Sequence, residues 1–552
     1  MVKSAALFLG LFLLQGVASS TPPEADWVFL NAEILGAAQP GLTALAVKSE
    51  RIVAVGHHAD VQAFIGPSTQ VVDAQGRSLI PGLMDSHIHA IRAGLSEITE
   101  VNWSGFKTLD QALNHLAERA SQLDLHEWVV VAGGWVPEQF EEQRSPTLAE
   151  LEQAAQGRPA YIQRAYSAVL INQEGMLGLP WHQHAQLASR LKAEQNEQGH
   201  DTGWLLGDAR TISDVYDLLP GPDASQQIVG SLQWYRRLAS WGVTAVLDPG
   251  GYNLPLHAYR ATQELWKRRQ LPVRIRYSLS APRKDTELED FKHHTALIPM
   301  GWGDSMLKFN GLGENVTWSM YNNSKPEAAH QQPLKEVLVW AARQGLGVTF
   351  HWNQDETVGR LLEVLEAVHE QHDLQPLRWS IAHLNNASRP SLERMKRMGI
   401  GWLVQNAAYY QRPFMKKTWG EAALLRTPPM AEALELGIHM GLGTDAHRVM
   451  TPNPFVCLQW AVDGLSADGQ KTRSSSALLS REQALDLYTH GSAWFTHEEH
   501  ERGRLQVGFL ADLAMLNDSY LNIKQSLIHT LHSELTLVAG RAVHGPTSLP
   551  VR

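Results

Sequence analysis

The chain has a single cysteine, Cys457, which excludes a disulfide framework. It has no long apolar run. Ala5 to Leu14, behind the positive Lys3, is apolar but too short to span a bilayer, and no later segment is more apolar. No Lys/Arg-rich run is present, and 57 acidic against 47 basic residues leave a net charge of -10, so no nucleic-acid partner is expected. With 19% charged and 44% hydrophobic residues the composition is that of an ordinary globular protein, neither disordered nor fibrous.

The short apolar run predicts a secretory signal over residues 1–20. Lys3 is its positive end and Ala18-Ser19-Ser20 a small-residue cleavage site, so the mature chain is expected to start near Thr21. No cysteine follows the run, which excludes a lipid-anchored lipoprotein. The expected location is the periplasm or the outside of the cell, with no membrane anchor after cleavage.

A length of 552 residues is too great for one compact core. Short strand-like runs separated by turn residues fill the N-terminal part, including Val28–Leu30, Ala44–Val47, Arg51–Gly56 and Gln70–Asp73. Similar runs, Ala511–Leu516 and Leu535–Gly540, lie near the C-terminus. Residues 21–78 and 501–552 are therefore expected to build one composite β-sandwich around a central domain of residues 79–500.

That central domain alternates apolar runs with helical patterns, the mark of parallel β/α units. Eight runs can be counted: Leu83–His89, Val243–Leu247 followed by Asp248, Val273–Leu279, Met306–Phe309, Gly347–His351, Trp379–His383, Gly401–Gln405 and His439–Leu442 followed by Asp445. The predicted class is thus α/β, a (β/α)8 TIM-like barrel. Residues from about 91 to 226 exceed a normal crossover. Strand-like Trp128–Ala132 and Ala160–Arg164 and helical Leu109–Leu123 and Leu148–Ala155 predict an α/β insertion after strand one.

Chemistry in such barrels sits at the C-terminal ends of the strands. His87 and His89 are two apart, so in an extended segment they project to one face, while Ile88 turns to the packing side. Lys308 lies on run four, His351 ends run five, His383 ends run six and Asp445 follows run eight. Neutral imidazoles and carboxylates are ordinary zinc ligands, and a catalytic zinc keeps one position open for water. Each residue alone has a plainer role. A lone histidine is usually a hydrogen-bonded core residue, Asp445 fits the cap of a turn, and Lys308 fits a surface lysine laying its stem along the fold. Convergence on one barrel mouth favours a metal centre for the histidines and Asp445, and leaves Lys308 open. Asp445 is the expected catalytic base, taking the proton of a metal-bound water that becomes the hydroxide nucleophile. Trp135, Arg164, Gln405 and Arg448 are candidate substrate contacts.

The stretch Ile80-Pro81-Gly82-Leu83-Met84-Asp85-Ser86-His87-Ile88-His89, with Lys308, His351, His383, Gly443-Thr444-Asp445 and the exit Gly503–Leu513, resembles the amidohydrolase superfamily over essentially the whole mature length. The long insertion is similar to the branch that includes N-substituted formamide deformylase. The resemblance implies one or two divalent metals per chain, commonly zinc, with a carbamylated strand-four lysine, here Lys308, as the bridge between two. The surroundings depart from that branch. Ala165-Tyr166-Ser167 stands for Asp-Gly-His, Gly134-Trp135-Val136 for Gly-Trp-Asp, Leu312-Gly313 for Asp-Gly, and His351-Trp352-Asn353-Gln354-Asp355 for His-Ala-x-Gly-Asp.

The expected function is a metal-dependent hydrolysis of a C–N, amide-like bond in a small molecule. Two alternatives are a metal-dependent ring deaminase and a catalytically dead exported binding protein. Family deaminases commonly carry a glutamate where Gln354 stands, which disfavours the first. The retained ligand set disfavours the second. A small-molecule substrate is the expected partner, with self-association open.

Overall fold

The structure, a computed structural model, describes residues 24–251, 254–320 and 326–545. The expected signal segment, 1–20, lies outside them. Parallel strands run in chain order as β1 (Leu83–Asp85), β2 (Val243–Asp248), β3 (Arg274–Leu279), β4 (Leu307–Leu312), β5 (Thr349–Trp352), β6 (Ser380–His383), β7 (Gly401–Gln405) and β8 (Met440–Gly443). They form two ladders, β1 to β4 and β5 to β8. A parallel bridge from Leu312 to Val348 joins the ladders on one side. On the other, the Ser86 amide donates to the Leu442 carbonyl at 3.1 Å and the Asp445 amide to the His87 carbonyl at 2.8 Å. The result is the (β/α)8 barrel that the eight runs predict.

Alternation along each strand decides what fills the barrel and what faces the helices. On β7, Trp402 and Val404 join the large outer core with the surrounding helices. Leu403, between them, joins Met84, Ala245, Leu247, Ala382 and Phe495 in the bore. Helices Ala224–Ser240, Gln331–Arg343, Asp355–His369 and Arg389–Met398 cover the outside. The last begins at Ser388, whose hydroxyl accepts from the Ser391 amide, and ends at Gly399 in the left-handed conformation that glycine adopts without a Cβ clash.

The two chain ends share one core. Strand Ser78–Pro81 pairs antiparallel with Leu513–Leu516. Phe29, Leu45, Val47 and Leu79 pack there with Leu513, Met515, Leu535 and Leu537. This is the composite sandwich. Neither end carries enough apolar surface to close a core alone, so each strand set completes the other.

A buried ion pair ties sandwich to barrel. Arg274 on β3 donates to both carboxylate oxygens of Asp512, at 2.7 and 2.9 Å, and Arg502 donates to the same group at 3.0 Å. Burial alone would raise the Asp512 carboxyl, but Arg274 and Arg502 hold it at about 2, below the ordinary 3.8. An acid depressed by folding binds fewer protons in the folded chain than in the unfolded one. Its stabilisation is complete above about pH 4, is lost as the pH falls towards 2, and amounts to about 2 kcal/mol. In urea melts Asp512→Asn is expected to be less stable than the wild type near neutral pH. It is also expected to lose less stability than the wild type between roughly pH 5 and pH 3.

Between β1 and β2 lies the α/β insertion. Its sheet contains Val129–Val131, inside the expected Trp128–Ala132, and the expected Ala160–Arg164, and adds Ala168–Ile171, Lys192–Gln195 and Asp201–Leu206. Helices Leu109–Ser121 and Leu148–Ala155 contribute to its own core around Trp103, Trp135 and Leu151. Among the described residues, no helix is long and apolar enough to cross a membrane.

Candidate metal centre

The C-terminal ends of the strands bring His87, His89, His351, His383 and Asp445 together, and add Glu314. Three overlapping groups have ligand atoms within 4.8 Å of one another: His87, His89 and Glu314; His87, His383 and Asp445; Glu314, His351 and His383. Glu314 belongs to two of them. His87 Nε2 is 3.4 Å from Glu314 Oε2 and 3.5 Å from Asp445 Oδ1, and His89 Nε2 is 3.5 Å from Glu314 Oε1 and 3.1 Å from Asp445 Oδ1. His351 Nδ1 is 3.0 Å and His383 Nε2 3.7 Å from the same Glu314 Oε2.

These separations fit donors around an ion. Ligands at 2.0–2.1 Å in a tetrahedron stand about 3.3 Å apart. His87 is fully buried, and neither of its ring nitrogens makes a hydrogen bond. A buried imidazole in that state has only the nearby Glu314 and Asp445 carboxylates to offset its lost hydration, and a metal would take its lone pair. His89 is already oriented. Its Nδ1–H donates to the Gly250 carbonyl at 2.8 Å, which leaves Nε2 as the free donor atom.

Charge in the cluster is balanced between acid and base. Burial alone would raise the Glu314 carboxyl, but His351, His383 and His87 hold it well below the usual carboxylate range. Asp445 is likewise held down against burial by His87 and His89. Burial would lower His87, yet Asp445 and Glu314 push it up to about 10. His383, disfavoured as a cation by burial and by His351, falls to about 4. The carboxylates are thus anionic at neutral pH and attract cations, whether protons on His87 or metal ions.

The backbone is fixed where the ligands sit. Asp85 Oδ1 accepts from the His87 and Thr444 amides, both at 3.1 Å, and its Oδ2 accepts from the Thr444 hydroxyl at 2.7 Å and the Tyr488 hydroxyl at 2.8 Å. One buried carboxylate therefore joins the ends of β1 and β8. Asp445 and His383 both have left-handed backbones, with φ of 54° and 70°. Such conformations persist only where neighbours over-determine them.

Lys308 is not in the cluster. The expected lysine bridge is corrected by its position at the start of β4, where its Nζ donates to Glu498 at 2.8 Å beside Arg276. The sequence run ends at Phe309, but the strand continues. Phe309 pairs with Tyr277 and Gly311 with Ser278, so Asn310 is an extra residue in a bulge. Only glycine fits at 311, because a Cβ there would lie 2.0 Å from the Gly347 carbonyl oxygen. The bulge carries the strand to Leu312 and sets Glu314, not Lys308, at the mouth. Glu314 went unnoticed in the sequence. Its one signal is a carboxylate just past Gly311-Leu312-Gly313, where run four would end if extended. Lys308→Met is expected to leave metal content unchanged by elemental analysis and to lower the melting temperature, because Glu498 loses one of three cationic partners.

The candidate substrate contacts separate. Trp135 is buried in the insertion core, its Nε1 donating to the Gln163 carbonyl at 2.9 Å. Arg164 pairs with Glu194 at 2.6 Å and stacks over Trp204 at 4.9 Å. Both brace the insertion. Arg448, three residues past Asp445, is buried with its guanidinium 3.7 Å over the Tyr216 ring and 4.0 Å from Glu100. Gln405 ends β7, and its Oε1 accepts from the His383 amide at 3.0 Å.

A histidine and carboxylate cluster on the strand ends of a (β/α)8 barrel is the donor set of a metal-dependent hydrolase. Residues 70–544 match the Amidohydrolase family, and the chain belongs to that family. Protein LONG AFTER FAR-RED 3 of Arabidopsis thaliana is 24% identical, covering 90% of this chain and 89% of its own length. N-substituted formamide deformylase of Arthrobacter pascens is 21% identical, covering 93% and 97%. In fold, the chain is similar to an uncharacterized metal-dependent hydrolase from Pyrococcus horikoshii, with a TM-score of 0.64 at 19% identity over 91% of this chain and 99% of that one.

Proposed function

We propose that the protein cleaves the C–N bond of a small amide at a centre for two divalent metals, zinc by the chemistry of its donors, which His87, His89, His351, His383 and Asp445 would hold, with Glu314 shared among them. The observation that carries the reading is that Glu314 groups with His87 and His89 and also with His351 and His383. Its Oε2 faces His87, His351 and His383 and its Oε1 faces His89, so one side chain reaches both sets. When bound, a divalent metal polarises a carbonyl and acidifies water.

The chain's own residues do the rest. Asp445, anionic and held at 3.1 Å from His89, accepts the proton that water gives up as its oxygen adds to the carbonyl carbon. The C–N bond then breaks, and the same Asp445 oxygen returns the proton to the departing nitrogen. Products are an acid and an amine. The name of the Arthrobacter relative, a deformylase of N-substituted formamides, supports an amide as the bond attacked.

The test is elemental analysis of purified protein together with a screen of amides, formamides, carbamates, dipeptides and lactones. Two metals per chain and release of acid plus amine are expected. One metal per chain, or release of ammonia from a ring, overturns the reading. We also infer export of the mature chain. Intact mass is expected to place its N-terminus near Thr21, and a chain that keeps Met1 in the cell overturns this.

A further inference from the structure

Strand β7 contributes nothing to the metal cluster, yet it places a side chain between two of its members. In the ladder β7 lies between β6, which ends in His383, and β8, which leads to Asp445, and Gln405 pairs with Gly443. Leu403 faces the bore, so Gln405, two residues on, faces it too, one level nearer the mouth. Gln405 is fully buried.

Its two amide atoms have different fates. Oε1 accepts from the His383 amide at 3.0 Å. Trp402, from the same strand, donates its Nε1–H to the His383 carbonyl at 2.9 Å. The left-handed peptide of His383 is thus gripped on both sides by β7, which holds the imidazole where Glu314 and His351 need it. Nε2 of Gln405 makes no hydrogen bond and is buried. With Oε1 committed to His383, the amide cannot flip to satisfy Nε2 without losing that bond. A buried N–H2 left unmade in a polar site is a donor waiting for an acceptor.

We propose that Gln405 is the substrate-binding donor of this site: Oε1 fixes the peptide of His383, and Nε2 hydrogen-bonds the carbonyl oxygen of the bound amide. This rests on the hydrolase reading above and adds its first contact to substrate from outside the metal cluster. It also predicts a preference for ligands with an oxygen acceptor at that point.

Gln405→Glu tests the donor alone, since Glu keeps an oxygen for the His383 amide and loses the N–H2. Metal-loaded wild type and variant are titrated with acetohydroxamate, which brings a carbonyl oxygen, and with azide, an anion that brings none. The added charge weakens both probes, so the difference between them reads the donor. Metal content equal to wild type is expected, with acetohydroxamate weakened about tenfold more than azide. Equal weakening of the two probes overturns the donor role. Gln405→Leu, which also removes the acceptor for His383, is expected to lose metal faster to a chelator than Gln405→Glu. If the two variants release metal alike, the grip on His383 is not made by Gln405. A wild-type chain that takes up no metal overturns the hydrolase reading itself.

Discussion

Asp445→Asn is expected to lower kcat by about 10²–10⁴-fold on whichever amide the wild type turns over, the size of a lost general base. That corresponds to about 3–5 kcal/mol of barrier. The replacement is isosteric, so the left-handed backbone at 445 and the bond from its amide to the His87 carbonyl at 2.8 Å are retained. What disappears is the anion. His87 and His89 hold the Asp445 carboxyl ionised despite its burial, and a carboxamide neither carries that charge nor accepts a proton at neutral pH. Metal content measured on the same sample separates lost proton transfer from lost metal. Full activity with full metal would remove Asp445 from the reaction.

Glu314→Gln addresses the bridge. The wild-type carboxylate faces four histidines, at 3.0 to 3.7 Å, and is held anionic by them. A carboxamide has one ligand oxygen and no charge, so it cannot serve both sets of donors. The variant is expected to drop from two metals to one or none. Its affinity for the second should fall by more than the roughly 10–100-fold that loss of an outer partner costs. Activity on the same amide should fall with it. Lys308→Met, which leaves the cluster untouched, is the matched control. A Glu314→Gln protein that keeps two metals, beside a Lys308→Met protein that loses one, would restore the lysine to the centre.

These two residues show where sequence reasoning succeeds and where it stops. Asp445 and the four histidines are visible in the chain because each closes an apolar run, and in a barrel all such ends meet at one mouth. The same logic misplaced Lys308. Apolar patterning marks where a strand is, but not how far it runs, and the bulge at Asn310 and Gly311 moves the end of β4 from Phe309 to Leu312. Six residues of chain, roughly 20 Å if extended, separate Lys308 from Glu314. Trp135 and Arg164 sit in the insertion, away from the cluster, for a related reason. Their sequence context is that of the insertion, and only its packing shows Trp135 in a closed core and Arg164 paired with Glu194.

The barrel, the composite sandwich, the insertion and most of the clustered histidines and carboxylates are legible in the chain alone. Each of those is written in local periodicity: apolar alternation, polar strand ends and matching strands at the two chain termini. Tertiary structure alone decided which carboxylate stands between the histidines, which charged groups are confined to the barrel floor with Glu498, and which amide nitrogen of β7 is left without a partner. Those outcomes depend on register between neighbouring strands, which is set by contacts between residues far apart in the chain.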